Sequence, residues 1–128
     1  MTATVLVTGG TGYIGGEVID RLLARDYTVH TTVRNKAKSE PKLRSRWAGA
    51  GERLKVFQAD LLSGEGWAEA NAGCSAVAHV ASPFPLRVPK NKDELIIPAR
   101  EGTLRALEFA TAAGAERFVQ TSSAAAIA

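Results

Sequence analysis

What most constrains this chain is the step from its first apolar run into a cluster of glycines. Val5-Leu6-Val7 leads without a break into Thr8-Gly9-Gly10-Thr11-Gly12-Tyr13-Ile14-Gly15. An apolar run that does not alternate predicts a strand buried on both faces, as in a parallel sheet. Beyond the glycines, Ile14, Val18 and Leu22, with Ile19 and Leu23, recur at helical spacing and predict an amphipathic helix ending near Arg25-Asp26. Tyr27 to Val33 is rich in Thr and Val and predicts a second strand. The opening thirty-odd residues therefore read as a β-α-β unit with a right-handed crossover.

The glycines satisfy G-x-G-x-x-G at Gly10, Gly12 and Gly15, and T-G-x-x-G-x-x-G at Gly9, Gly12 and Gly15. One glycine makes the tight turn out of the strand. The next lets the backbone approach a pyrophosphate, and the last lets the helix pack closely on the sheet. Phosphates would meet free N–H groups and the positive end of the helix dipole along positions 9 to 15. A strand before and a helix after are the context that such a motif requires. The plain alternative is a tight turn without a ligand. A P-loop is excluded, because no Gly-Lys-Ser/Thr follows.

The remaining pattern alternates in the same way. Arg34 to Gly51 is polar, carries Pro41, and is expected to be a long loop with at most a short helix at Lys42–Trp47. Leu54–Phe57, Ala76–Val80 and Arg117–Ser122 predict further strands. Trp67–Ala72 predicts a short helix, Ser82–Lys92 a proline-bearing loop, and Glu94–Ala113 the longest helix, stopped by Gly114. The fold expected is α/β, a Rossmann-type doubly wound parallel sheet in three layers with strand order 3-2-1-4-5, forming one dinucleotide-binding domain over residues 1–128.

Composition removes other classes. Hydrophobic residues at 45% and charged residues at 23% exclude a disordered tail, a collagen and a coiled coil. A net charge of +3 is too small to argue for nucleic acid. The longest apolar stretch, Ala124–Ala128, falls far short of the roughly 20 residues of a membrane span, and the first residues carry no basic leader. Cys74 is the sole cysteine, which excludes an internal disulfide and a cysteine metal cage; a reducing cytoplasm is expected and no metal.

The end of the second strand selects the nucleotide. An acid there would bond a ribose 2′-hydroxyl, but the residue is Arg34, whose planar fork of donors suits a 2′-phosphate. From Arg34 to Arg46 six basic residues (Arg34, Lys36, Lys38, Lys42, Arg44, Arg46) face one acid, Glu40. NADP is favoured over NAD on that ground, with Arg34 and Lys38 as phosphate ligands; Lys42 to Arg46 read better as a solvated basic stretch. Asp60-Leu61, closing the third strand, could hold and cover an adenine ring, or Asp60 could be a turn or cap aspartate; both readings stay open. Small residues at Ala81-Ser82-Pro83, after the fourth strand, would leave room for the nicotinamide ribose, and Val80, Ala81 and Ser82 are expected along the cofactor. His30 and His79 are read as packed or hydrogen-bonded sheet residues, Cys74 as a small apolar thiol, and Trp47 and Trp67 as covers for the sheet or core.

Taken together, the Thr8–Gly15 loop, Asp60-Leu61, His79-Val80-Ala81-Ser82-Pro83 and Thr121-Ser122-Ser123 resemble the extended short-chain dehydrogenases/reductases. Val80-Ala81-Ser82-Pro83-Phe84, Glu94 to Thr103 and Val33-Arg34 are similar to the dihydroflavonol-reductase-like branch, which includes cinnamoyl-CoA reductases and microbial aldehyde reductases. The resemblance implies NADP-dependent reduction of an aldehyde or ketone. It implies that Ser123 is the catalytic serine and that Thr121 and Ser122 line the cofactor. It also implies a Tyr-x-x-x-Lys, with the tyrosine as proton donor. Neither Tyr13 nor Tyr27 begins such a motif, so the chain is expected to be the N-terminal segment of a longer reductase. A non-catalytic NAD(P)-binding module or sensor, and a nucleotide-sugar epimerase or dehydratase, remain alternatives. The expected partner is a small-molecule carbonyl substrate, without nucleic acid or membrane; a homodimer is left open.

Overall fold

The computed structural model describes residues 3–60, 63–80 and 93–120, with the side chains of the last helix described from Arg100 onward. In chain order the elements are β1 (Thr4–Thr8), α1 (Tyr13–Ala24), β2 (Thr28–Val33), α2 (Lys36–Arg46), a 3-10 turn (Gly51–Arg53), β3 (Leu54–Gln58), α3 (Trp67–Asn71), β4 (Ala76–His79), α4 (Asp93–Ala112) and β5 (Arg117–Gln120). The strands form one parallel sheet in the order β3-β2-β1-β4-β5, the order expected from the sequence.

The central strand shows why an unbroken apolar run was needed. Successive side chains of β1 point to opposite faces. Val5 and Val7 join Ile19 and Leu23 of α1 and Leu43 of α2 on one face. Leu6 packs on the other face with Ala70 of α3, Val77 of β4 and Ala110 of α4. Helices thus cover both faces, giving three layers. Each fully buried aliphatic side chain contributes about 1.5–3 kcal/mol relative to exposure. At the far edge β5 is mostly exposed, and Val119 is 64% accessible.

One expectation is corrected. The stretch after Arg34 is not a long loop with a helix at Lys42–Trp47; it is helical from Lys36 to Arg46, with Pro41 inside. Pro41 has no N–H to give to the preceding turn, and the helix buries only Leu43. A local cap and tertiary anchors hold its two ends. Asn35 Oδ1 accepts the Lys38 amide (3.1 Å) and Gln58 Oε1 accepts the Lys36 amide (3.0 Å). At the other end Trp47 is buried and its indole N–H reaches Asp20 of α1. The smaller differences are at ends: β4 stops at His79 rather than Val80, and α3 at Asn71 rather than Ala72. Gly114, at φ +84°, follows α4 as expected of a helix stop.

Candidate functional site

The C-terminal edge of the parallel sheet carries the candidate site, since ligands of such sheets bind outside the strand ends. β1 ends in Thr8, the chain turns through Gly9 at φ +74°, and α1 begins at Tyr13. That left-handed backbone is where a side chain would strain and glycine does not. A Cβ on Gly15 would overlap the Gly9 carbonyl, so the third glycine of the motif lets the helix seat directly on the turn. Gly10 similarly leaves room for Thr31 Oγ1 of β2. Around Gly12 the nearest atom to an added Cβ is the Gly9 carbonyl at 3.4 Å, so most of the space above this glycine is open. The cradle fits a group that approaches backbone closely.

The loop's amides divide into two sets. Those expected at 9 and 10 are already used: Gly9 N donates to Thr32 Oγ1 (3.3 Å) and Gly10 N to the Thr32 carbonyl (3.3 Å). Gly12 N donates to the Gly9 carbonyl (3.0 Å), and the first bond of the helix runs from Gly16 N to the Gly12 carbonyl (2.9 Å). The amides of Thr11, Tyr13, Ile14 and Gly15 make no hydrogen bond among the described residues, and Gly12 has no side chain to cap those of the helix. Donors for an anion are therefore concentrated at the head of α1, where the helix dipole adds positive potential. The broader fan across positions 9 to 15 narrows to Thr11 and this first turn. Thr11, Gly12, Tyr13 and Ile14 are exposed there.

Thr8 is buried and serves the site from behind. Its Oγ1 accepts the Val80 amide at 2.9 Å and bonds His79 Nδ1 at 2.9 Å, locking β1 to the end of β4. Burial pushes the His79 pKa down, so the ring is neutral in the fold. His30 is also held neutral by burial, and its Nδ1–H donates to the Ala70 carbonyl at 2.8 Å. Cys74 lies 3.4 Å from His30 Nδ1, and burial pushes its thiol up to about 11. These three are sheet and core residues, as expected. Among the described residues no three His, Cys, Asp or Glu side chains are grouped to hold a metal ion.

β2 delivers the basic residues. Thr32, which holds the glycine turn, lies two positions before Arg34, and Arg34 precedes Asn35, the cap of α2. Arg34 and Lys38 are exposed on either side of this cap and carry no ion pair among the described residues. Arg44 and Arg46 have structural partners instead. Arg44 pairs with Glu40 (3.5 Å) and donates to the Gly51 carbonyl (2.8 Å); Arg46 pairs with Asp20 (2.9 Å). At the end of β3 the Asp60 carbonyl accepts the Trp67 indole (2.9 Å) and the Ser63 amide (3.1 Å), so its backbone makes the turn towards α3. Leu61, Ala81, Ser82, Thr121, Ser122 and Ser123 lie outside the described residues.

Residue-by-residue reading missed Thr32, Gln58 and Asp20. Thr32 looks like any β-branched strand residue, and its hydroxyl matters only because the glycine turn passes beside it. Gln58 and Asp20 are invisible while α2 is read as a loop, because both act by holding that helix.

Residues 5–128 match the NAD dependent epimerase/dehydratase family. The chain is 42% identical over 130 residues to a putative anthocyanidin reductase of Ginkgo biloba, covering 98% of this chain and 37% of that protein. It is 40% identical to a dihydroflavonol 4-reductase of Hordeum vulgare, covering 94% of this chain and 34% of the relative. Among solved structures it superposes with a TM-score of 0.82, at 28% identity, on the yeast methylglyoxal/isovaleraldehyde reductase Gre2 complexed with NADPH, covering 96% of this chain and 38% of that one. The chain thus spans a little over a third of the length of such relatives. Among the described residues no helix is long and apolar enough to cross a membrane. A match running from the first strand to the last residue, on this sheet order, makes the chain a member of the NAD dependent epimerase/dehydratase family.

Proposed function

We propose that this chain is the cofactor-holding part of an NADP-dependent oxidoreductase that reduces an aldehyde or ketone. The observation that carries this reading is the set of unspent amides of Tyr13, Ile14 and Gly15 beneath an open glycine, with Arg34 at the end of the neighbouring strand. The α1 head would hold the pyrophosphate; the Arg34 guanidinium, with Lys38, would take a 2′-phosphate that a carboxylate at this place would repel. When bound, NADPH supplies hydride to a carbonyl carbon. The relatives named above are reductases, one of them a complex with NADPH, which supports the same chemistry here. Ser123 is proposed to fix the carbonyl oxygen, with Thr121 and Ser122 beside the cofactor, and Leu61, Val80, Ala81 and Ser82 along it.

Calorimetric titration with NADPH and NADH tests the cofactor assignment. NADPH should bind more tightly, and Arg34→Asp should reverse the order. Equal affinities in the wild type would refute the role given to Arg34. Loss of NADPH absorbance with a panel of aldehydes and ketones, using the full natural polypeptide, tests the reaction. Ser123→Ala should cut turnover while leaving NADPH affinity unchanged; a turnover unaffected by that change removes Ser123 from the chemistry.

A further inference from the structure

We propose that Asp20 is a positioning residue for cofactor discrimination: its carboxylate clasps the end of α2 to α1 and so sets where Arg34 and Lys38 meet the head of α1. This rests on the NADP reading above.

The clasp joins α1, whose head carries the free amides, to α2, which bears Lys38 and begins just after Arg34. Asp20 Oδ1 accepts the Trp47 indole N–H, and Oδ2 accepts from Arg46 Nη2 at 2.9 Å. The Arg46 guanidinium lies over the Trp47 ring, 4.5 Å from its centroid, and its Nη2 is 3.8 Å from Glu17 of α1. Gly16 allows this, because a Cβ there would overlap Arg46 Nη1. The guanidinium therefore rests on α1 backbone, and the buried indole gains its acceptor from the same carboxylate.

α2 needs such a tether. It lacks one internal hydrogen bond at Pro41 and buries only Leu43. Its first turn is fixed by Asn35 and Gln58, which spend the Lys38 and Lys36 amides. With those two amides occupied, discrimination at this helix falls to side chains, whose placement follows the helix. α1, in turn, is seated on the phosphate turn by Gly15. A shift of α2 across α1 therefore moves Lys38, and through the Asn35 cap the adjoining Arg34, relative to the α1 amides. Asp20 is seven residues into α1, about 10 Å from its head by helical rise, so it acts through the helices and not by touching phosphate.

An isolated exposed ion pair would do little of this. The difference is the buried indole, which would lose its acceptor. The sign of the effect also separates the readings. If Asp20 acted only by charge, removing it would tighten binding of the more anionic NADPH. If it positions α2, removing it weakens NADPH.

The test measures dissociation constants for NADPH and NADH in the full natural polypeptide, for the wild type, Asp20→Ala, Asp20→Asn and Trp47→Phe, with far-ultraviolet circular dichroism as the check of folding. Asp20→Ala and Trp47→Phe should each lower the NADPH preference roughly tenfold, the worth of one charge-assisted hydrogen bond, with NADH affinity nearly unchanged. Asp20→Asn keeps an acceptor for the indole and should lose less. A preference unchanged in folded Asp20→Ala and Trp47→Phe overturns this inference and leaves the NADP reading standing, as does tighter NADPH binding. A purely structural role would weaken both cofactors alike and likewise overturns it. A wild type without preference overturns the NADP reading, and this inference with it.

Discussion

Replacing Thr8 with valine changes one hydroxyl into a methyl of nearly the same shape, in a residue that is 0% exposed. No cavity forms, so the effect reports the hydrogen bonds. Thr8 Oγ1 is the acceptor for the Val80 amide and the partner of His79 Nδ1, both at 2.9 Å. The variant orphans a backbone N–H and a ring nitrogen in an apolar setting. Leaving a buried polar group unsatisfied costs about 1–3 kcal/mol, and the new methyl recovers up to about 1 kcal/mol by burial. The net loss expected is about 3 kcal/mol. For 128 residues the entropy of unfolding is about 0.27 kcal/mol/K, so the melting temperature should fall by about 10 °C.

Urea unfolding of the wild type, Thr8→Val and Thr8→Ser measures the difference directly. Thr8→Ser keeps the hydroxyl and loses one buried methyl, for a cost near 1 kcal/mol. The serine variant should therefore stand well above the valine variant. A valine variant within about 0.5 kcal/mol of the wild type would show that the β1–β4 lock contributes nothing, and the role given to Thr8 would be wrong.

The glycine loop separates packing from binding. Gly15→Ala must push the Gly9 carbonyl aside and should cost about 1–3 kcal/mol of stability. Gly12→Ala meets only one atom, at 3.4 Å, and should melt near the wild type yet bind NADPH much more weakly; equal NADPH affinity in wild type and Gly12→Ala would remove the pyrophosphate from this cradle. Acid should destabilise the fold through its histidines. Burial lowers the pKa of both His30 and His79, so the unfolded chain takes up protons first, and stability present above about pH 6.5 is lost as pH falls below it. The slope has a ceiling of about 1.4 kcal/mol per pH unit for each ring, and denaturant midpoints that stay flat from about pH 7.5 to pH 5 would contradict it. Cys74, buried and pushed up to about 11, should react with a disulfide reagent at neutral pH on the order of a hundredfold more slowly in the folded chain than in denaturant. Comparable rates in the two states would place the thiol at the surface.

What the sequence discloses here follows from how local each determinant is. The strand order was legible because Val5-Leu6-Val7, having no polar face, needs cover on both sides, and the β-α-β rhythm then leaves few topologies. The turn was legible because Gly9 and Gly15 are required by backbone that lies within a few residues of them. α2 was not legible. Its own residues argue against a helix: Pro41 interrupts it, and its apolar contribution is Leu43, followed by Trp47 beyond its end. What makes it helical are Asn35 before it, Gln58 on β3 and Asp20 on α1, two of which lie a dozen or more residues outside the segment. The same distance hid the division of the amides. Nothing near Gly9 and Gly10 shows that Thr32, a strand away, occupies their N–H groups. That occupation is what gives the loop its function under this reading. A turn whose outer amides were also free would be held less firmly, and by fastening Gly9 and Gly10 to β2 the fold fixes the head of α1, so that its three remaining donors present one defined geometry to an anion. The rigidity of the site is therefore set by a threonine that no glycine motif contains.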